Sequence, residues 1–275
     1  MNISEALQYT KKIFEKTGID SSTLDAQIIL AYILKTEKHK LLTESERKLS
    51  RINFCRLRKL IKRRVKGEPV AYITGRKEFY SINFSVTKDV LIPRPETERI
   101  VDLAAANAKM NGSVLDIGTG SGAIAVSLKK NRPDLTIHAC DISVKALKIA
   151  KRNAEMNLGR KAVLFKKSNL FSAYKEMKFD MILSNPPYLR ESDKNTLQKE
   201  IFFEPVKALF TNDDGLKIIT CIIKESKIFL NNSGILILEF GNKQETRIKK
   251  IASNYGFSAS IIRDYTDFPR YALLQ

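Results

Sequence analysis

The sequence predicts an α/β protein: a mostly parallel sheet with an antiparallel edge strand, preceded by a small N-terminal helical bundle and a linking β-hairpin. Three observations carry this. Apolar residues recur at helical spacing up to about residue 75; the period changes to two between Glu78 and Ile92; and from Gly112 onward short apolar runs alternate with helical stretches. The implied partition is a helical domain over 1–75, a linking hairpin over 76–93 and a ligand-binding domain over 94–275. A chain of 275 residues has room for one large α/β domain and a small satellite.

In the helical part, Ser4 is placed to cap a first helix through Ala6, Leu7, Ile13 and Phe14. Ser21 or Ser22 can cap a second, with Leu24, Ile28 and Ala31 on one stripe and Leu30, Ile33 and Leu34 widening it. A third runs through a basic segment with Leu57, Leu60, Ile61 and Val65 as its buried seam, stopped by Gly67 and Pro69. Phe79, Ile82, Phe84, Val86 and Val90 alternate with polar residues and mark the hairpin. Pro95 suits a first helical position, ahead of a helix to about Lys109. Strands are expected at Val114–Ile117, Thr136–Ile142, Ala162–Phe165, Met181–Leu183 and Ile235–Phe240, and helices near 122–131, 143–157, 214–230 and 242–254. Ser258–Arg263 and Tyr271–Leu274 are joined by a loop too short for a parallel crossover, so an antiparallel edge is expected there.

Composition narrows the function classes. No apolar run approaches the ~18–20 residues that span a bilayer, and the first twenty residues show neither a signal nor a transit pattern. No membrane association is expected, and the expected location is the cytoplasm. Cys55, Cys140 and Cys221 form no C-x-x-C pair, and only two histidines are present, His39 and His138, so no metal site is expected. The net charge is +18, and residues 1–90 carry 19 Lys/Arg against 10 Asp/Glu. Between Arg47 and Lys66 stand ten basic residues and no acidic one, a run that fits weak contact with a nucleic acid or an acidic protein surface, or else a solvated helix face.

Two motifs carry chemistry. Val114-Leu-Asp-Ile-Gly-Thr-Gly-Ser-Gly122 is a strand running into a glycine loop and a helix, where Asp116, Gly118, Thr119, Gly120, Ser121 and Gly122 bring backbone amides close to a ligand. Nineteen residues beyond Gly122, at the end of the next strand, Asp141 can accept hydrogen bonds from ribose hydroxyls. The spacing is G-x-G-x-G, not the dinucleotide G-x-G-x-x-G, and no Lys-Ser/Thr follows to make a P-loop. The bland alternative is a tight βα turn. Ser184-Asn-Pro-Pro-Tyr188 follows the fourth expected strand and so faces the same crevice. Pro186 and Pro187 fix the backbone and remove two donors, leaving the Asn185 amide oxygen and the carbonyls of Asn185 and Pro186 as acceptors, with Tyr188 as an aromatic wall. Such a set suits a planar NH2 group; a proline turn closing a strand is the competing reading.

Together, Asp116–Gly122, Asp141 and Asn185–Tyr188 resemble the class I (Rossmann-like) methyltransferases that act on planar amino groups: adenine N6, guanine N2 or glutamine N5. Gly67-Glu-Pro-Val-Ala-Tyr-Ile-Thr-Gly75, Leu91-Ile-Pro-Arg-Pro-Glu-Thr-Glu98 and Phe203-Glu-Pro-Val-Lys-Ala-Leu209 narrow the resemblance to the release factor glutamine methyltransferases, over nearly the whole chain. Ribosomal-protein glutamine methyltransferases share the Asn-Pro-Pro-Tyr loop but differ over Ile92–Glu98. The chain departs from the family at Asn169-Leu170-Phe171, where an Asp usually precedes the apolar pair; Asn169 and Leu170 would still meet the adenine, without the charge, which implies weaker cofactor affinity.

The resemblance implies S-adenosyl-L-methionine as cofactor, held by the amides of Gly118–Gly122 and by Asp141, with Asp116 organising the loop. It implies a class 1 peptide chain release factor as protein partner, methylated on the glutamine of its Gly-Gly-Gln motif. Asn185 and Pro186 would accept hydrogen bonds from the substrate NH2 and aim its nitrogen at the methyl group. The competing readings are an adenine-N6 nucleic-acid methyltransferase, a ribosomal-protein glutamine methyltransferase, a noncatalytic RNA-binding protein and an NAD oxidoreductase. A base-flipping enzyme would need a target-reading domain, which the helical segment does not resemble.

Overall fold

The computed structural model describes all residues, Met1–Gln275. It divides into two compact units: one of Met1–Arg76 with Gln198–Phe203, the other of Lys77–Leu197 with Glu204–Gln275.

The first unit is helical: α1 (Ile3–Lys16), α2 (Ser22–Leu34), α3 (Lys40–Thr43), α4 (Arg51–Val65) and α5 (Val70–Thr74). The cap of α1 is Asn2, not Ser4: its Oδ1 accepts the Glu5 amide at 2.8 Å while Glu5 accepts the Asn2 amide at 2.9 Å, a reciprocal box that puts Ser4 inside the first turn. Ser21 precedes α2 without a side-chain cap. The buried stripe of α2 is Ala26, Ile29, Leu30 and Ile33, whereas Leu24 is exposed; the face is rotated so that Asp25, an acid in an apolar helix, lies inside. Its partner is Arg64 on α4, whose Nε donates to Asp25 at 2.6 Å and whose Nη1 lies 2.7 Å from the Glu200 carboxylate. Leu57, Ile61 and Arg64 (i, i+4, i+7) therefore form the buried side of α4, and Val65, expected in the seam, is exposed. The short α3 and α5 have too few periodic positions to show in the sequence; α5 begins after Pro69 and ends at Gly75 with φ +71°.

The second unit begins one residue into the hairpin of β1 (Arg76–Phe79) and β2 (Ile82–Ser85), turned by Tyr80 and Ser81 at φ +52° and +56°. Phe79, Ile82 and Phe84 belong to the same apolar core as α6 (Glu98–Asn107), so the hairpin is part of this unit. There follow β3 (Ser113–Ile117), α7 (Ala123–Asn131), β4 (Thr136–Asp141), α8 (Val144–Leu158), β5 (Leu164–Lys167), β6 (Phe179–Ser184), α9 (Val206–Leu209), α10 (Lys217–Phe229), β7 (Leu230–Glu239), α11 (Glu245–Asn254), β8 (Ala259–Arg263) and β9 (Pro269–Leu274). The seven strands lie in the order β5-β4-β3-β6-β7-β9-β8. Pairings from β5 to β7 are all parallel, and both antiparallel pairings at the far end are made by β9, inserted between β7 and the outermost β8. Neighbouring residues of β3 enter different apolar clusters, Val114 one and Leu115 the other, because alternate side chains point to opposite faces of a sheet covered on both sides.

Candidate functional site

Register brings the loops together. Ile117 at the end of β3 pairs with Cys140 on β4 and with Ser184 on β6, and Asp141 pairs with Lys167 on β5. The glycine loop, Asp141, the turn at Asn169–Leu170 and the Asn185–Tyr188 loop therefore all leave the sheet at its carboxyl edge. The reversal of strand order falls between β3 and β6, where open α/β sheets take ligands.

Gly118, Gly120 and Gly122 all have positive φ, +71°, +56° and +83°, so the loop needs residues without a Cβ. Most of its amides are engaged within the chain. Gly118 and Thr119 donate to the Cys140 carbonyl at 2.9 Å, Gly120 to Asp141 Oδ2 at 3.0 Å and Gly122 to the Thr119 carbonyl at 2.8 Å. Of the five amides expected to face a ligand, only that of Ser121 is left without a partner; the others shape the loop. Asn153, fully buried on α8, donates to the Ser121 carbonyl at 2.8 Å and clamps the loop from behind.

Asp116 is buried beneath this loop, its Oδ2 taking the Thr119 hydroxyl at 2.6 Å and its Oδ1 lacking a well-aligned donor. Burial pushes its carboxyl up to about 7. Asp141, half-buried, accepts the Ser143 amide on Oδ1 at 2.8 Å and the Gly120 amide on Oδ2 at 3.0 Å. Burial raises it and those amide bonds oppose the shift. No basic side chain pairs with either acid. Beside Asp141, Ile142 is 57 % exposed, an apolar surface that the sequence reading absorbed into the strand. The β5 turn is fastened to the same place: Ser168 donates its amide to the Asp141 carbonyl at 3.1 Å, Leu170 takes φ +48°, and Asn169 is exposed.

On the other side, Asn185 Nδ2 donates to Thr97 Oγ1 at 2.9 Å, and Thr97 donates its own proton to Glu239 Oε2 at 2.8 Å. The amide is thereby oriented with its oxygen free of protein partners. Pro186 is buried and Pro187 half-buried. Tyr188 points its hydroxyl inward, to Glu239 Oε1 at 3.2 Å, and burial with the Glu239 charge holds that phenol well above its ordinary range. Glu239 is itself fully buried, pushed up to about 7 by burial against the pull of the Thr97 bond and the Arg270 charge. Gly215, at φ +81°, lies so close to the Tyr188 carbonyl that a Cβ would approach it to 2.1 Å, so this loop too is wedged from behind. Thr97 and Glu239 were not singled out from sequence. The available signal was a lone acid ending the apolar run Ile235-Leu-Ile-Leu-Glu239. A cavity of about 490 Å³ between α8 and β5, lined by His138, Lys151 and Phe165 among others, includes none of these loop residues.

Residues 5–75 match the PrmC N-terminal domain family and residues 100–221 the Methyltransferase small domain family. The release factor glutamine methyltransferase of Buchnera aphidicola subsp. Baizongia pistaciae is 39 % identical over 278 residues, covering 100 % of this chain and 99 % of that protein. The chain belongs to the release factor glutamine methyltransferase family. It is a class I S-adenosylmethionine-dependent methyltransferase. A bifunctional methyltransferase of Rickettsia typhi is 36 % identical over 94 % of this chain, which spans 54 % of that longer protein. Among solved structures, a methyltransferase from Pyrococcus furiosus superposes with a TM-score of 0.54 at 21 % identity, covering 70 % of this chain and 87 % of that one, a likeness of fold.

The residues present fit the cofactor. Two buried or half-buried carboxylates without basic partners suit a ligand that is cationic at its sulfonium and amino groups. Asp141 keeps a second lone pair on each oxygen for ribose hydroxyls, and the Ser121 amide is available to a carboxylate.

Proposed function

We propose that this enzyme methylates the N5 side-chain amide of a glutamine in a class 1 peptide chain release factor, at the Gly-Gly-Gln motif. The observation that carries the reading is the oriented amide of Asn185: its NH2 is held by Thr97, so its oxygen is the group presented to a substrate. A planar substrate NH2 donates two hydrogen bonds in its own plane. Asn185 Oδ1 and the Pro186 carbonyl are the acceptors for them, which turns the face of the nitrogen toward the cofactor.

S-adenosylmethionine supplies an electrophilic methyl group on a sulfonium. The chain's part is positioning. Asp141 holds the nucleoside, the rigid proline loop holds the nucleophile, and orientation of two bound reactants is worth up to ~7–11 kcal/mol of barrier. An amide nitrogen is a weak nucleophile, and the two acceptors stabilise the positive charge that develops on its N–H groups in the transition state; the methylated nitrogen, then acidic, loses one proton to solvent. The same reading puts the enzyme in the cytosol. The exposed basic residues of α4 would then meet an acidic face of the protein substrate, with weak nucleic-acid contact as the alternative.

The test is methyl transfer from labelled cofactor to a purified class 1 release factor, to the same factor with the motif glutamine replaced, to ribosomal protein and to DNA. Label on the motif glutamine alone is expected. Label on adenine, or on release factor lacking that glutamine, overturns the reading.

A further inference from the structure

Glu239 ends β7 at the carboxyl edge of the sheet, and the register explains what it meets. Ser184 pairs with Leu238 in the parallel β6–β7 ladder, so the next residues along, Asn185 just beyond β6 and Glu239 at the end of β7, stand side by side. Between them sits Thr97, buried at the start of α6. The chain of bonds runs Asn185 Nδ2 to Thr97 Oγ1 at 2.9 Å and Thr97 Oγ1 to Glu239 Oε2 at 2.8 Å, while the second carboxylate oxygen takes the Tyr188 hydroxyl at 3.2 Å. One fully buried acid thus anchors both ends of the loop that carries the substrate acceptors.

The direction of these bonds matters more than their number. An ionised carboxylate can only accept. Thr97 must therefore donate its single proton to Glu239, which leaves its oxygen to accept, and only the NH2 of Asn185 can satisfy it. The carbonyl of Asn185 is then forced outward. An amide at position 239 could donate or accept, and Thr97 with it, and the polarity of Asn185 would no longer be set. A reversed Asn185 would confront a substrate NH2 with another NH2. Arg270, itself fixed by Asp264 at 2.6 Å, supplies positive charge that favours the ionised form of Glu239.

We propose that Glu239 is a positioning residue for methyl transfer, setting the polarity of the Asn185 amide through Thr97 so that an acceptor, not a donor, faces the substrate nitrogen. This rests on the reading of Asn185 as that acceptor.

The experiment compares Thr97→Val, Thr97→Ser, Glu239→Gln, Asn185→Ala and the double variant Thr97→Val/Asn185→Ala, in the full chain with a purified class 1 release factor. Single-turnover rate, substrate KM, cofactor Kd and Tm are read for each. Thr97→Val and Glu239→Gln are expected to lower the rate about tenfold to a hundredfold with cofactor Kd within about threefold of the parent. Thr97→Ser, which keeps the hydroxyl, restores the rate even if the valine variant is less stable. The double variant is no slower than Asn185→Ala alone, since Thr97 acts only through Asn185. A parental rate in either Glu239→Gln or Thr97→Val, with Asn185→Ala slow, overturns the positioning role and leaves the acceptor reading intact. A further loss in the double variant also overturns it, as a general structural effect. A parental rate in Asn185→Ala overturns the acceptor reading and this inference with it.

Discussion

Replacing Asp141 with alanine removes a carboxylate whose two oxygens already hold backbone amides, Ser143 at 2.8 Å and Gly120 at 3.0 Å. Each oxygen has one lone pair left for a ribose hydroxyl, so up to two charge-assisted hydrogen bonds to the cofactor are lost, each worth about 1.5–3 kcal/mol. Water entering the gap recovers part of this, and freeing the Gly120 amide loosens the glycine loop, which adds to the loss. The balance is about the strength of one such bond, a rise in cofactor Kd of roughly 10–150-fold. Fold stability changes little, because the two amide bonds lost are offset by relief of the burial that disfavours the charge on Asp141. Isothermal calorimetry gives the Kd and thermal unfolding without cofactor gives the stability; Asp141→Asn, keeping one acceptor, falls between parent and alanine. An affinity within twofold of the parent in a folded Asp141→Ala protein would refute the assignment of this carboxylate to the nucleoside.

Asn185→Ala lowers the single-turnover rate by roughly 10²–10³-fold at saturating cofactor, while Asn185→Asp binds cofactor tightly but turns over slowly because its anion stabilises the ground-state cation; a parental rate in the alanine variant contradicts this. Glu239 titrates at about 7 against an ordinary 4.5, so the acceptor-only state that orients Asn185 is lost as pH falls through about 7, among charged neighbours Arg270 and Glu96; the rate should fall with it, and Glu239→Gln should flatten the profile. Stability runs the opposite way: between the ordinary and raised values the folded form holds protons on Glu239 and Asp116 that the unfolded form has released, so stability decreases as pH rises across that window, on the order of 3–4 kcal/mol per group. Denaturant melts at pH 5 and pH 8 check the sign. Arg64→Met strands Asp25 in the helical core and should destabilise that unit by about 3–5 kcal/mol, with Asp25→Leu in the same chain recovering much of it; equal denaturation midpoints would dismiss the pair. Replacing the exposed Arg56, Lys59 and Lys62 with serine should raise KM for intact release factor without changing turnover of a short glutamine peptide, and an unchanged KM reduces the run to a solvated face. Arg63 is omitted because it is already bound to Glu68 at 2.5 and 2.6 Å.

The glycine loop and the Asn185–Tyr188 loop were legible because local backbone demands write themselves into the sequence: positive φ at Gly118, Gly120 and Gly122, and two fixed prolines after a strand. Strand and helix alternation likewise showed the sheet, since both faces are covered. What stayed hidden depends on distant partners. Thr97 and Glu239 are 142 residues apart and meet only where the start of α6 packs against the end of β7, which no local pattern reveals. Arg64 read as one more charge in a basic run because its burial depends on Asp25 and Glu200, on either side of it in the chain. The insertion of β9 between β7 and β8 is a choice of pairing partner that the hydrophobic pattern of either strand does not encode.

The helical unit is discontinuous in the chain, completed by Gln198–Phe203, which places Glu200 beside Arg64. During synthesis the ribosome delivers α1 to α5 first, yet Arg64 must wait for its second carboxylate until most of the sheet has been made. The unit that is translated first is therefore completed only after four strands of the other unit's sheet have been made. No single cut separates the two units: a fragment ending after Arg76 lacks the Glu200 partner of Arg64, and a fragment starting at Lys77 carries the 198–203 segment without the helices it belongs to. Any engineering that treats the amino-terminal helices as a detachable module has to move the 198–203 strap with them.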